Sequence, residues 1–319
     1  MIRIDTVPEA TAPAEHHADF LELCTLRSGT GSTSIQEFIR DLRIGNATEV
    51  VADSEDRDEG YESDDEDEAI AQSAFDELDE RRRNFGKHAK SYPFELSETS
   101  MSLKENGDES LYTFLALLSW YGKDAGPKGT DGERIFEEIC AKAAESYLGH
   151  HDNGRVRSVV FGFPRRVLPT GFSAALDELC KQLGEGGSHR KGRPKLPDQK
   201  DGKLDVVAWV EFQDLRQGKL ITFGQCATGR NWQEKISELP PPDRWCGLWM
   251  NDIPSVPPIR SFFVPHRIDR ESWFHSCTFG GLLYDRCRIA SLASDTDDDL
   301  RSRWIKWSSH VLNHLRATS

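Results

Sequence analysis

The chain has 319 residues, 54 acidic against 40 basic, a formal net charge of −14, 37% apolar residues and 29% charged ones. That length holds one large domain or two small ones with a sizeable core. No stretch approaches the roughly 18 apolar residues of a membrane span. MIRIDTVPEA lacks the basic-then-apolar order of a signal peptide. The seven cysteines (24, 140, 180, 226, 246, 277, 287) are odd in number and contain no C-x-x-C. Reduced thiols therefore fit better than disulfides or a zinc site, and the expectation is a soluble, cytoplasmic protein with no membrane partner.

Residues 1 to 15 read as a loose tail. Apolar positions then recur at helical spacing over His16–Leu26 and Ser34–Leu42, the second opening on a capping box formed by Ser34 and Glu37. From Glu49 to Glu68 there are twelve acidic residues against one Arg, so −11 of the −14 sits in this run and the remainder of the chain carries about −3. The charge therefore does not argue against binding nucleic acid. Segment 49–68 is expected to be disordered or a solvated linker, with a DNA-mimicking, self-inhibitory or ion-binding segment as alternatives. Ala69–Arg83 reads as a helix of paired charges, and Leu111–Trp120 as a short, strongly apolar one. The Gly-rich piece from Gly122 to Gly132 marks the expected boundary between an N-terminal helical region, 1–122, and a second domain, 123–319.

Past that boundary the pattern is regular. Arg134–Leu148 is an amphipathic helix, Val156–Phe163 a strand, and Ser173–Leu183 a helix. A Gly-, Pro- and Lys-rich loop follows. Leu204–Phe212 and Lys219–Cys226 are two apolar, β-branched strands joined by a polar turn, and thus a hairpin. A helix over Trp232–Leu239 ends at Pro240–Pro242. Ile259–Val264 is a further strand, and two closing helices are expected at Gly281–Leu292 and Leu300–Leu315. No internal repeat is present.

Asp205 interrupts the first strand of the hairpin, where a carboxylate is costly unless it binds something. Gln225 ends the second strand. In an antiparallel pair, neighbouring side chains on one face sit roughly 5 Å apart, so the two converge if the register places them together.

The run DGKLD before the first strand and Gln225-Cys226 at the end of the second resemble the restriction-endonuclease-like PD-(D/E)XK nuclease superfamily, over roughly Glu133–Pro265. The resemblance implies an α/β (α+β) fold: a restriction-endonuclease-like core with a central mixed sheet flanked by helices, here with an N-terminal helical region and C-terminal helices. It implies a metal-dependent DNA endonuclease using Mg²⁺ or Mn²⁺, in restriction, antiphage defence or DNA repair. The partner is DNA, with room for a partner protein of a multi-subunit system and for a homo-oligomer. Asp205 is the expected acid, Glu137 matches the family's helix carboxylate, and Gln225 and the Cys226 carbonyl complete the ligand set. Glu138, Glu145 and Asp201 are weaker ligand candidates.

Ala227 stands where the family's Lys is expected. Arg230, Lys235 and Lys203 are nearby cations that reach the site if the charge has moved, although an Arg makes a poor base. The competing reading is a catalytically inactive nuclease-fold module that binds DNA or a partner protein.

The elbow Thr228–Trp232 opens a helix whose amides suit a phosphate oxygen, or it is a plain turn capped by Asn231. The basic loop with Arg190, Lys191, Arg193, Lys195, Lys200 and Lys203, joined by Arg165 and Arg166, is a candidate DNA clamp or a solvated loop. The acidic run folding back over that loop would silence the site. Most of Trp209, Trp232, Trp245, Trp249 and Trp273 are expected to be core or helix-packing anchors, with stacking on bases as the alternative, and the pairs His16-His17 and His150-His151 lack metal spacing. There is neither a G-x-S-x-G elbow nor a G-x-x-x-x-G-K-[ST] loop, which speaks against a serine hydrolase and an NTPase.

Overall fold

The computed structural model describes residues 7–50, 62–86, 91–149, 154–192, 200–294 and 296–317. The chain divides into two units, Met1–Gly132 with Arg267–Asp269 and Arg301–Ser319, and Glu133–His266 with Arg270–Leu300. The break thus falls about ten residues beyond the expected boundary. The last helix, from Arg301 on, joins the first unit rather than the second.

In the first unit the order is α1 (Ala14–Arg27), β1 (Ser32–Ser34), α2 (Ile35–Val50), α3 (Glu62–Asn84), β2 (Phe94–Leu96), β3 (Ser100–Leu103) and α4 (Leu111–Tyr121). The three short strands form an antiparallel sheet, β1-β3-β2, of which the sequence announces only an extended piece starting at Tyr92-Pro93-Phe94. The capping box is formed: the Ser34 amide donates to Glu37 Oε2 at 2.7 Å and the Glu37 amide to Ser34 Oγ at 3.2 Å. α4 opens on Ser110, whose hydroxyl accepts from the Thr113 amide, and Leu111–Trp120 is buried all round.

The acidic run needs correction. Residues 51–61 lie outside the described residues, but α2 extends to Val50 and α3 begins at Glu62, so both ends of 49–68 are helical. Acids in the opening turns suit the positive end of a helix dipole, which is how so charged a segment can begin a helix.

The second unit is built on a five-stranded sheet. Its elements are α5 (Gly132–Leu148), β4 (Val156–Val160), α6 (Phe172–Leu183), β5 (Val206–Val210), β6 (Ile221–Cys226), α7 (Trp232–Lys235), α8 (Pro242–Trp249), β7 (Ile259–Phe263), α9 (Arg270–Gly280), β8 (Leu282–Tyr284) and α10 (Arg286–Leu292). α11 (Asp298–Ala317) closes the chain. The strand order is β4-β5-β6-β7-β8. The first two pairings are antiparallel and the last two parallel.

Period-two alternation assigns the faces. Val159, Val207, Trp209, Ile221 and Phe223 pack with Leu176, Leu179 and Leu183 of α6 and Trp245 and Trp249 of α8. Truncating one of those leucines to Ala costs about 2–5 kcal/mol. The opposite face meets α5: Ser158 donates to Glu145 Oε2 at 2.8 Å, and Ser158, Ala208 and Thr222 are in register across three strands.

Three expectations in this unit fail for identifiable reasons. The helix at 232 is one turn, Trp232–Lys235, because the chain must still reach the prolines. Pro242 then starts α8 at a position where its missing N–H costs nothing, instead of merely ending a helix. Gly281–Leu292 is an edge strand followed by a short helix, the break being Asp285, which caps α10 by accepting from the Arg288 amide. Among the described residues, no helix is long and apolar enough to cross a membrane.

Candidate functional site

Asp205 sits one residue before β5, where that strand leaves the sheet. Its amide donates to Gly224 O at 2.9 Å, and its carbonyl accepts from the Phe161 and Gly162 amides at 2.7 and 3.0 Å. Its carboxylate accepts from the Cys226 amide at 2.8 Å. Burial pushes this carboxyl up to about 7, and Asp201 and Glu133 add repulsion that the Cys226 amide and Lys203 only partly offset. An acid raised in this way is half protonated near neutral pH, and an arriving cation would favour its charged form.

Glu137 reaches the same neighbourhood from α5. It is buried, ion-paired with Arg134 one turn earlier, and lies against Gly162. A Cβ on Gly162 would stand 3.0 Å from both Glu137 oxygens, so the absence of a side chain lets β4's exit pass between the Glu137 carboxylate and the Asp205 backbone. Arg134 also approaches Gly162 O, at 3.4 Å. The Cys140 thiol on α5 and the Cys226 thiol on β6 share a hydrogen bond. Burial pushes both thiols up, and the charges of Asp205 and Glu137 add to this, so both stay protonated.

Gln225 does not join this group. Residues two apart share a strand face, so Gln225 lies with Ile221 and Phe223 on the α6–α8 side, while Cys226 faces α5. Its Oε1 accepts from the Leu239 amide at 3.1 Å and its Nε2 donates to Glu238 Oε2 at 3.3 Å. Ala227 is buried and carries no charge. Of the expected substitutes for the missing ammonium, Lys203 donates to Glu238 Oε2 at 2.8 Å and lies close enough to influence Asp205. Lys235 Nζ stands 3.9 Å from where a Cβ on Gly229 would be, and Arg230 is exposed. The elbow does not cap the helix through Asn231, whose side-chain amide donates to Glu234 at 3.2 Å instead, and a four-residue helix has too little dipole for a phosphate site.

The basic loop is less free than its composition suggests. Arg165 is buried, donating to Thr170 O at 3.0 Å and Lys200 O at 2.6 Å with its guanidinium 4.6 Å above the Phe161 ring. Arg190 donates to Gly247 O at 2.6 Å, and Arg166 pairs with Glu138 at 3.4 Å. Lys191 and Lys200 are exposed, and Arg193 and Lys195 lie outside the described residues.

Magnesium is ordinarily held by one or two carboxylates, with water and phosphate completing the shell. Asp205 and Glu137 match that donor set, and Gln225, with its amide committed on the other face, does not. Among the described residues, no group of three or more His, Cys, Asp or Glu side chains is arranged to hold a metal ion. Arg134, Glu133, Gly162 and Glu238 went unnoticed in the sequence. The Arg134–Glu137 spacing of three on a helix is a legible pairing signal, whereas nothing local to Glu238 ties it to Lys203 or Gln225.

Comparison with models of protein families, with curated proteins and with solved structures yields no match.

Proposed function

We propose that the second unit is a restriction-endonuclease-like module acting on DNA phosphodiesters, with Asp205 as its central acid. The geometry that carries this reading is the meeting of two acids where β4 ends: Asp205, whose carbonyl accepts from the Gly162 amide, and Glu137, whose carboxylate lies against Gly162, with burial beside Asp201 and Glu133 raising the Asp205 carboxyl. Perturbed acids of this kind concentrate at working sites. The element order adds support: a helix, a strand, a strand hairpin, a helix and a further strand is the order the resemblance implies, here with α6 inserted after the first strand.

Asp205 and Glu137 would hold Mg²⁺ or Mn²⁺, which when bound supplies a Lewis acid and an activated water. This chain's own contributions are separate. The Cys226 amide fixes one Asp205 oxygen. Arg134 holds Glu137 against Gly162. Lys203 brings an ammonium to the same rim, where Ala227 cannot.

The test is incubation of supercoiled and linear DNA with Mg²⁺ or Mn²⁺, beside Asp205→Ala. Metal-dependent cutting lost in the variant supports the reading, and equal inertness of both proteins across metals and substrates removes it. The buried Ala227 and the engaged Gln225 favour a second reading, a silent module that binds DNA without cutting it. Salt-dependent binding with no cleavage selects that one.

A further inference from the structure

Lys203 is held with unusual care for a surface lysine. It takes φ +68, a left-handed conformation that costs a non-glycine residue, directly after Gly202 at φ +66. Three hydrogen bonds and one close approach hold this shape. The Lys203 amide donates to Asp201 Oδ1 at 2.8 Å, and the Trp245 indole donates to Gly202 O at 2.9 Å. Arg165 donates to Lys200 O at 2.6 Å, and a Cβ on Gly202 would stand 3.0 Å from the Trp245 nitrogen. Backbone strain that the surroundings enforce is a pointer to function. Its result here is that the Lys203 ammonium and the Gln225 amide nitrogen converge on one atom, Glu238 Oε2, at 2.8 and 3.3 Å.

We propose that Lys203 Nζ and Gln225 Nε2 form a seat for a phosphate oxyanion, which the Glu238 carboxylate occupies as an internal stand-in and a substrate phosphate displaces. Gln225 is buried and anchored by the Leu239 amide, so its N–H direction is preset. Glu238 and Lys203 are more exposed, with side chains 35% and 57% accessible, so the carboxylate can swing into solvent without opening the core. An exposed ion pair is weak and its loss is easily offset by a charge-assisted phosphate contact. The role deepens the phosphodiester reading, since it explains what Gln225 does on the face away from Glu137. It assigns Lys203 and Gln225 to substrate binding and Glu238 to their regulation.

The test follows the Gln225 side-chain NH₂ resonances by NMR as inorganic phosphate is added to wild type, Glu238→Gln, Lys203→Met and the double variant. Phosphate should shift those resonances saturably. Glu238→Gln should bind roughly two- to fivefold more tightly, as expected when an exposed ion pair no longer competes, and Lys203→Met should cancel the gain. With duplex DNA, Glu238→Gln should steepen the salt dependence of log K by about one unit and Lys203→Met should flatten it by as much. Gln225 resonances unmoved by phosphate in both wild type and Glu238→Gln, or a gain that survives Lys203→Met, would overturn the seat. Cleavage assays separate the two ideas. Phosphate binding without cutting sinks only the nuclease reading, and metal-dependent cutting with no phosphate response at Gln225 sinks only the seat.

Discussion

Two groups of buried charge, one in each unit, obey opposite rules. In the first unit Arg81 is fully buried and donates to Asp19 at 2.7 Å, to Glu77 at 2.8 Å and to Glu15 O at 2.9 Å, with Glu22 at 3.0 Å. Glu22 also accepts from Tyr92 and Tyr112 at 2.9 and 2.8 Å, and Asp19 from the Trp120 indole at 3.0 Å. Burial alone would push Glu77 up, yet Arg81 and Arg267 hold it below its ordinary value. Around Asp205 the balance is reversed, with Asp201 and Glu133 pressing on a carboxyl that burial has already raised. The first arrangement ties α1, α3 and α4 together and gives each acid a donor, from Arg81, Arg267, Tyr92, Tyr112 or Trp120. The second stores repulsion that a cation would relieve. A buried network whose acids all have donors reads as architecture, and one whose acids repel each other as a place where something binds.

The contrast breaks most visibly at Arg81. Arg81→Met leaves Glu22, Asp19 and Glu77 without their shared cation, and urea denaturation should show a loss of about 3–5 kcal/mol. A loss below about 1 kcal/mol would mean the network is not structural. Asp205→Asn should do the opposite and raise stability on the order of 2 kcal/mol at pH 8. The sign follows from the raised acid: Asp205's contribution is complete below its unfolded value and lost as pH rises through about 7. The Glu77 contribution runs the other way and disappears as pH falls through the carboxylate range, because its folded value is depressed. Thermal melts of wild type and Asp205→Asn should therefore converge near pH 4 and separate toward pH 8. Parallel curves would contradict the assignment.

Gly162→Ala sharpens the comparison at smaller cost. Its Cβ meets the Glu137 oxygens at 3.0 Å, and a destabilisation of about 1–3 kcal/mol is expected, with the loss reduced in a Glu137→Ala background. Equal losses in both backgrounds would separate Gly162 from the site. The smallest effect belongs to the rim. Lys191→Ala should flatten the salt dependence of DNA binding by about one unit and leave stability unchanged, whereas Arg165→Gln should show as lost stability, because its guanidinium is spent on Thr170, Lys200 and Phe161.

Much of the second unit was legible because its signals are local. The β-branched alternation of Val206–Val210 and Ile221–Cys226, the turn between them and the amphipathic run of α5 each announce an element. Asp205 stood out as a carboxylate at the mouth of an apolar strand. The placement of Gln225 was not legible, since a side chain at a strand end takes its face from the register, and the register here turns it toward Leu239. β8 and α9 were missed because Leu282–Tyr284 is three residues long and α9 carries Phe274 and Phe279 exposed, which hides its apolar period. The Arg81 network is long-range by nature, joining Glu22 to Tyr112 across 90 residues and Glu77 to Arg267 across 190, and no window of sequence contains it.

The account turns on whether Asp205 is an acid waiting for a cation. The direct measurement is the titration of its carboxyl carbon by ¹³C NMR, with and without Mg²⁺. The expected midpoint is about 7 in the metal-free protein, falling when Mg²⁺ is present. A midpoint near the ordinary value of about 3.9 that does not move with Mg²⁺ would contradict it.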